Sequence, residues 1–73
     1  MKKLSTYKSK CGTKESVIGV QHEVLIVEFY ENGHRVGEIE YPNNSYYYVR
    51  DAAENWTLGV MTKETIKKYS IAA

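Results

Sequence analysis

The sequence predicts an α+β fold, in which a small antiparallel β-sheet of three or four strands is packed by one main helix and a short C-terminal helix. Three observations lead to this fold class. A dense run of β-branched and aromatic residues precedes an Asn-Gly pair and an alternating segment, which is the pattern of a β-hairpin. A stripe of apolar residues at helical spacing follows the only proline. A lysine-rich segment with the spacing of a short helix comes last.

The strongest strand signal lies in a central hairpin, predicted over residues 23–41. Its first arm, EVLIVEFY, is rich in β-branched and aromatic residues and is apolar on both faces in its first half. Asn32-Gly33 follows, and both residues tolerate the positive φ of a two-residue turn. The second arm, RVGEIEY, alternates apolar and polar residues. We therefore expect a central strand with a helix on one face and a partner, such as a second copy of the chain, on the other.

The length of the turn sets the register of this hairpin. A three-residue loop with a bulge would bring Leu25 near Ile39. A two-residue loop makes more apolar pairs, and we prefer it for that reason. The pairs that it places opposite each other are Phe29 with Val36, Ile26 with Ile39, and Tyr30 with Arg35.

A main helix is predicted over about residues 45–58. Asn44 or Ser45 is a favourable N-cap, and Gly59 stands where a helix end requires a left-handed residue. Apolar residues recur at i, i+3, i+4 and i+7, so that one side of the helix faces a core. The members of this stripe are Val49, Ala52, Ala53 and Trp56.

A strand is the alternative for the start of this segment. Aromatic and valine propensities would allow Tyr46–Arg50 to form a third antiparallel strand, and the helix would then shrink to residues 51–58. Three consecutive tyrosines cannot share one face of either element. On a helix, Tyr47 is the one that points away from the core. The N-cap residues, the apolar stripe and the glycine at the helix end all favour a helix, so we prefer the helix.

The chain is predicted to be a single domain, 1–73, because this length has no room for a second core. Residues 1–14 alternate weakly and form either a basic arm or an edge strand. The sheet with its hairpin occupies 15–41. A short helix over 62–70 follows, with Tyr69 facing inward.

The predicted core draws on every element after the first turn, and its members share an apolar side chain at an inward position of the expected pattern. They are Val17, Ile18, Val24, Leu25, Ile26, Val27, Phe29, Val36, Ile39, Val49, Ala53, Trp56, Leu58, Val60 and Ile66.

Motifs for catalysis and for cofactor binding are missing from the sequence. It contains no glycine-rich phosphate loop, no nucleophile elbow and no metalloprotease motif. Cys11 is the only cysteine, which excludes an intramolecular disulfide, and nothing in the spacing brings His22 to it. In the preferred register Glu38 and Glu40 share one face, while Glu28 points to the other. We expect no enzyme, no cofactor, no metal site and no small-molecule substrate.

The sequence predicts neither a membrane span nor a secretory signal. No apolar run approaches the ~18 residues that a span requires. The basic start lacks the apolar stretch of a signal peptide. We therefore expect a cytoplasmic protein without a membrane partner, of the kind that serves bacteria and their viruses as small accessory or regulatory proteins.

Tyrosine is in excess, with seven in 73 residues. Its ring covers apolar surface while its hydroxyl stays in water, and it is enriched at protein interfaces. The leading hypothesis is therefore a non-catalytic protein-binding or regulatory module, which we expect to be a homodimer. The candidate partner-binding residues are Tyr30, Arg35, Tyr47 and Arg50.

Nucleic-acid binding is the alternative hypothesis, because the chain is basic at both ends and acidic in the middle. Residues 1–14 carry five lysines and no acidic residue, whereas residues 15–54 carry eight acidic residues and two arginines. A basic arm with an exposed ring can follow phosphates and stack on bases. The candidate residues for this activity are Lys2, Lys3, Lys8, Lys10 and Tyr7.

Overall fold

A computed structural model describes residues 1–69. Its four strands form one antiparallel sheet in the order β1-β2-β3-β4, and its two helices share a single core with one face of that sheet. The predicted α+β fold is confirmed, and the weakly alternating start of the chain is an edge strand. The last residue of the predicted 62–70 helix lies outside the described residues. The elements are β1 (Lys2–Lys8), β2 (Lys14–Gln21), β3 (Val24–Glu31), β4 (His34–Tyr41), α1 (Tyr46–Thr57) and α2 (Lys63–Tyr69).

The turn between β3 and β4 has the two-residue form that the sequence predicts. Glu31 pairs with His34 across it. Asn32 has φ 53° and Gly33 has φ 80°, so both residues occupy the left-handed region. This combination matches the right-handed twist of the strands that it joins, which explains why Asn-Gly is favoured here.

The predicted register beyond this turn is wrong. Tyr30 pairs with Arg35 as expected, but Phe29 lies opposite Gly37, and the residue between, Val36, is a β-bulge. The bulge turns Val36 towards the helices, where it packs against the core. Strict alternation would have placed Val36 and Ile39 on opposite faces, so the bulge allows β4 to bury both. Ile39 therefore pairs with Val27 and not with Ile26.

Hydrogen bonds between residues close in sequence define both ends of helix α1. The Ser45 hydroxyl accepts a hydrogen bond from the backbone N–H of Tyr48 at 3.3 Å. At the other end, Gly59 has φ 82° and its N–H donates to the carbonyl of Trp56, while the N–H of Val60 donates to the carbonyl of Asn55. These two bonds form a Schellman motif. The helical interpretation is confirmed, and the strand alternative over residues 46–50 is wrong.

Trp56 lies at the centre of the core and is completely buried. Its ring meets the ring of Phe29 edge-on, with centroids 5.9 Å apart. Its indole N–H donates to the backbone carbonyl of Tyr30 at 2.9 Å. A second bond runs from the buried Ser16 hydroxyl to the carbonyl of Ala53 at 2.9 Å. Polar atoms of helix and sheet are thus paired inside the core, which fixes where α1 lies on the sheet.

Three residues that the sequence placed inside are exposed. Leu58 and Val60 have exposed fractions of 72% and 70%, and Tyr69 has 59%. Leu58 and Val60 flank the Schellman turn, where the chain reverses away from the sheet. Ala52, which belongs to the predicted stripe but not to the predicted core, is buried. The predicted stripe is therefore right, and the predicted burial of Leu58, Val60 and Tyr69 is wrong.

The face of the sheet opposite the helices also buries apolar residues. Val17 and Ile26 are only 5% and 3% exposed there, although no described element packs on them. Gly19 lies between them on this face, and the side chain of Met1 occupies the space that a Cβ at Gly19 would need. Neighbouring side chains of the sheet cover these residues. A dimer partner is therefore not required to bury them, and the homodimer stays a prediction.

The burial of α2 and the exposure of Leu58 can be tested with matched truncations. Ile66→Ala removes a completely buried side chain and should lower the free energy of unfolding by about 2–5 kcal/mol. Leu58→Ala removes an exposed one and should change it by less than about 0.5 kcal/mol. Urea denaturation followed by the fluorescence of Trp56 measures both. Equal losses for the two variants would contradict the structure.

Candidate functional site

A cleft of about 670 Å³ opens between the end of β4, helix α1 and helix α2. Clefts of this volume are typical of binding sites in proteins. Its walls combine aromatic rings, amide and carboxylate groups and a few apolar side chains. The lining residues are Ile39, Glu40, Tyr41, Asn44, Tyr48, Asp51, Ala52, Asn55, Met61, Thr65 and Tyr69.

Helix α1 contributes one longitudinal stripe to the cleft. Tyr48, Asp51 and Asn55 follow one another at i, i+3 and i+7, which places them on the same side of the helix. The preceding tyrosine, Tyr47, points elsewhere, because each residue advances about 100° around a helix. Tyr46 turns towards β1, where its hydroxyl lies 2.7 Å from that of Ser5. The three consecutive tyrosines are thus distributed around α1 and only one reaches the cleft.

The aromatic wall of the cleft is built by residues from three elements. The rings of Tyr41 and Tyr48 meet edge-on at 6.0 Å. Burial, followed by the proximity of Tyr48, raises the pKa of Tyr41 to about 12, so that its phenol stays protonated and neutral. Tyr69 closes the wall from α2, and the ammonium group of Lys68 lies 5.4 Å from the centre of its ring. The wall therefore offers π-faces and hydroxyl groups to an occupant.

The charge of the cleft has one sign. Asp51 is acidic, and none of the described residues that line the cleft is a lysine, an arginine or a histidine. Glu40 also lines the cleft, but it pairs with Ile26, so its carboxylate points to the face opposite the helices. An anionic occupant such as a phosphate would find no cation among the lining residues, and the nearby ammonium of Lys68 lies over the Tyr69 ring. The cleft favours a neutral or positively charged occupant.

The cleft reaches the edge of the sheet. Ile39, Glu40 and Tyr41 are consecutive, and all three line it. Successive side chains of a strand point to opposite faces, so a cleft on the helix side that touches three in a row reaches the backbone of Glu40 between the side chains of Ile39 and Tyr41. β4 is an edge strand, because no described strand pairs with its outer side. The aromatic wall therefore borders an edge strand of the sheet.

The sequence-predicted pair Tyr30 and Arg35 lies on the face opposite the helices. The two residues face each other across β3 and β4. Arg35 forms ion pairs with Glu28 and Glu38, and the Tyr30 hydroxyl donates to Glu28 at 3.3 Å. The expected separation of Glu28 from Glu38 is wrong, because the bulge sets them directly opposite each other on one face. Arg35 keeps these two like charges together.

The other predicted pair, Tyr47 and Arg50, lies on α1. The guanidinium of Arg50 lies 5.2 Å from the centre of the Tyr47 ring, and its Nε is 3.7 Å from Glu54. Since α1 covers one face of the sheet and Tyr30 and Arg35 lie on the other, the four candidates form two separate pairs. Their role in partner binding stays a prediction.

The lysines proposed for nucleic-acid binding are divided by the alternation of β1. Lys3 and Lys8 face away from the helices, opposite Gly19 and Glu15, whereas Lys2 pairs with Val20 on the helix side. Lys10 follows the strand, outside β1. The fifth candidate, Tyr7, packs against the core, and burial, followed by its hydrogen bond with Tyr46, raises its pKa. No single basic and aromatic surface results, and nucleic-acid binding stays a prediction.

Cys11 and His22 lie at opposite ends of β2, so the structure does not bring them together. The Cys11 sulfur lies 2.9 Å from the Thr13 hydroxyl. Hydrogen bonds from Thr13, and then from Ser9, lower the pKa of the exposed thiol to about 7. Within residues 1–69 no group of histidine, cysteine or carboxylate side chains could hold a metal ion.

Comparison with protein-family models, with curated proteins and with solved structures finds no match to this chain. In the part of the chain that the structure describes, no helix has the length and apolar character needed to cross a membrane. The function is therefore inferred from the geometry of the cleft.

The lowered pKa of the Cys11 thiol can be tested by the pH dependence of its alkylation. The thiolate is the nucleophile, so the rate of alkylation by iodoacetamide should rise with pH and reach half its maximum at about pH 7. Thr13→Val removes the main hydrogen bond and should move this midpoint up, towards the ~8.5 of a free cysteine. Ser9→Ala, which removes the smaller contribution, should shift it less. A wild-type midpoint above that of Thr13→Val would contradict the assigned cause.

Proposed function

We propose that this protein is a non-catalytic protein-binding module, and that an extended segment of its partner docks along β4 and into the cleft. One observation carries the proposal: an aromatic cleft opens beside an unpaired strand edge. Addition of a strand to a free edge is a general mode of peptide recognition. In this mode the backbone hydrogen bonds supply affinity and pockets for alternate side chains supply specificity.

The two edges of the sheet differ in how open they are. β1 carries Lys2, Lys3 and Lys8 and a bulge at Leu4, and both features discourage the pairing of another strand. On β4 the bulge lies at Val36, close to the hairpin turn, and the rest of the strand pairs regularly with β3 up to Tyr41. The open length of β4 is the part that borders the cleft.

The tyrosines of the cleft suit a binding role. A tyrosine provides a large contact area at a small cost in side-chain entropy, and its hydroxyl can bond to a partner's backbone. Tyr48 is 57% exposed, so most of its contact area is open to a partner.

Neighbouring tyrosines on α1 provide a matched test. Peptides are selected against the immobilised protein from a random-peptide library displayed on phage, and their affinities are measured for the wild type and for two variants. Tyr48→Ala removes a ring from the cleft and should weaken binding about tenfold or more, as expected for an aromatic anchor. Tyr47→Ala removes a ring that is even more exposed (69%) and does not line the cleft, and it should leave the affinity within about twofold.

The proposed backbone hydrogen bonds between the peptide and β4 are tested by modifying the peptide. Methylation of alternate backbone nitrogens of a selected peptide should abolish binding in one phase of alternation and leave it intact in the other, because only every second residue of an added strand bonds to the edge. Failure to select any peptide, or equal binding by Tyr48→Ala and Tyr47→Ala, would refute the proposal.

A further inference from the structure

We infer that the docking segment carries a lysine or arginine side chain, which enters the cleft and lies against its tyrosine rings and the carboxylate of Asp51. The inference rests on the proposed function and adds to it the chemistry of the partner. It follows from the charge of the cleft, from the nature of its walls and from contacts that already exist within the chain.

Asp51 is the polar anchor of the cleft. It is exposed on the cleft stripe of α1, between Tyr48 and Asn55. None of the described lining residues is a cation, and the Lys68 ammonium beside the cleft lies over the Tyr69 ring, so Asp51 has no ion pair among the described residues. A guanidinium or ammonium group there would gain an ion pair and could also donate to the amide oxygens of Asn44 and Asn55.

The walls suit the remainder of such a side chain. Lysine and arginine have apolar stems, and Ile39, Ala52 and Met61 supply apolar surface to the cleft. Tyrosine rings attract a cation placed over their faces. The chain uses this contact three times within its described residues: Lys14 lies over Trp56, Arg50 over Tyr47, and Lys68 over Tyr69 at the cleft itself.

Other occupants fit less well. An acidic side chain would meet the carboxylate of Asp51, and no described lining residue is a cation that could compensate. A purely apolar side chain would remove water from Asp51 and leave its carboxylate without a partner. A cationic side chain is the one class that satisfies the rings, the apolar wall and the carboxylate together.

The test uses three short peptides on the full chain: acetyl-Thr-Val-Lys-Val-Thr-amide, the same peptide with norleucine at the centre, and the same peptide with glutamate. Affinity is measured by NMR titration of the labelled protein. The lysine peptide should shift the amide signals of Tyr41, Tyr48 and Thr65 and bind about tenfold more tightly than the norleucine peptide. The glutamate peptide should bind most weakly.

Two matched variants of the protein test whether the carboxylate of Asp51 is the group that attracts the cationic side chain. Asp51→Asn should reduce the preference for lysine over norleucine to about twofold or less, and added salt should do the same to the wild type. Glu54→Gln changes a carboxylate on the other side of α1, beside Arg50, and should leave the preference unchanged. Circular dichroism establishes that both variants are folded.

The outcomes separate the inference from the proposed function. If the norleucine or glutamate peptide binds at the cleft as tightly as the lysine peptide, the cationic side chain is refuted and the binding module stands. If none of the three peptides, nor any peptide selected from the library, shifts signals at the cleft, the proposed function itself fails. If copies of the chain associate in light scattering and Asp51→Asn abolishes that association, the occupant is a second copy, and a separate partner is refuted.

Discussion

The packing of Trp56 against the sheet sets the position of α1 and, through α1, the shape of the cleft. Its ring fills the centre of the core against Phe29, and its indole N–H bonds to a backbone carbonyl of β3. Together with the bond from Ser16 to the carbonyl of Ala53, this contact fixes both the position and the rotation of α1. A rotation of α1 would bury a polar residue or break one of these bonds, and either change is costly in a small core. The core therefore decides which residues of α1 face outward.

The cleft is a consequence of that rotation and of the shortness of α2. Once Trp56 is inside, Tyr48 and Asp51 must face the side on which α2 lies. Among its described residues, α2 buries a single side chain, Ile66, and Lys63 adds an ion pair with Glu31. A seven-residue helix held in this way covers β4 only in part and leaves the end of the strand open.

The basic and acidic segments of the sequence form different strands of the sheet. The basic start forms the edge strand β1, while the acidic middle supplies β3, β4 and the cleft side of α1. The sheet therefore has one edge, β1, that carries lysines, and another edge, β4, that lies beside acidic groups. This separation keeps the cleft free of the chain's own lysines, apart from Lys68 over the ring of Tyr69. The proposed docking of a cationic segment depends on it.

Features that depend on neighbours along the chain could be predicted from the pattern of residues alone. The Asn32-Gly33 turn, the Ser45 cap, the Gly59 stop and the apolar stripe of α1 are all local, because each depends on backbone conformation or helical spacing within a few residues. The bulge at Val36, the exposure of Leu58 and Val60, and the contact between Tyr41 and Tyr48 could not be predicted in this way. These depend on which face of each element meets the core, and a pattern along one segment does not contain the position of the others. The cleft belongs to this second group. The excess of tyrosines was visible in the sequence, but which of them lie together in the cleft was not.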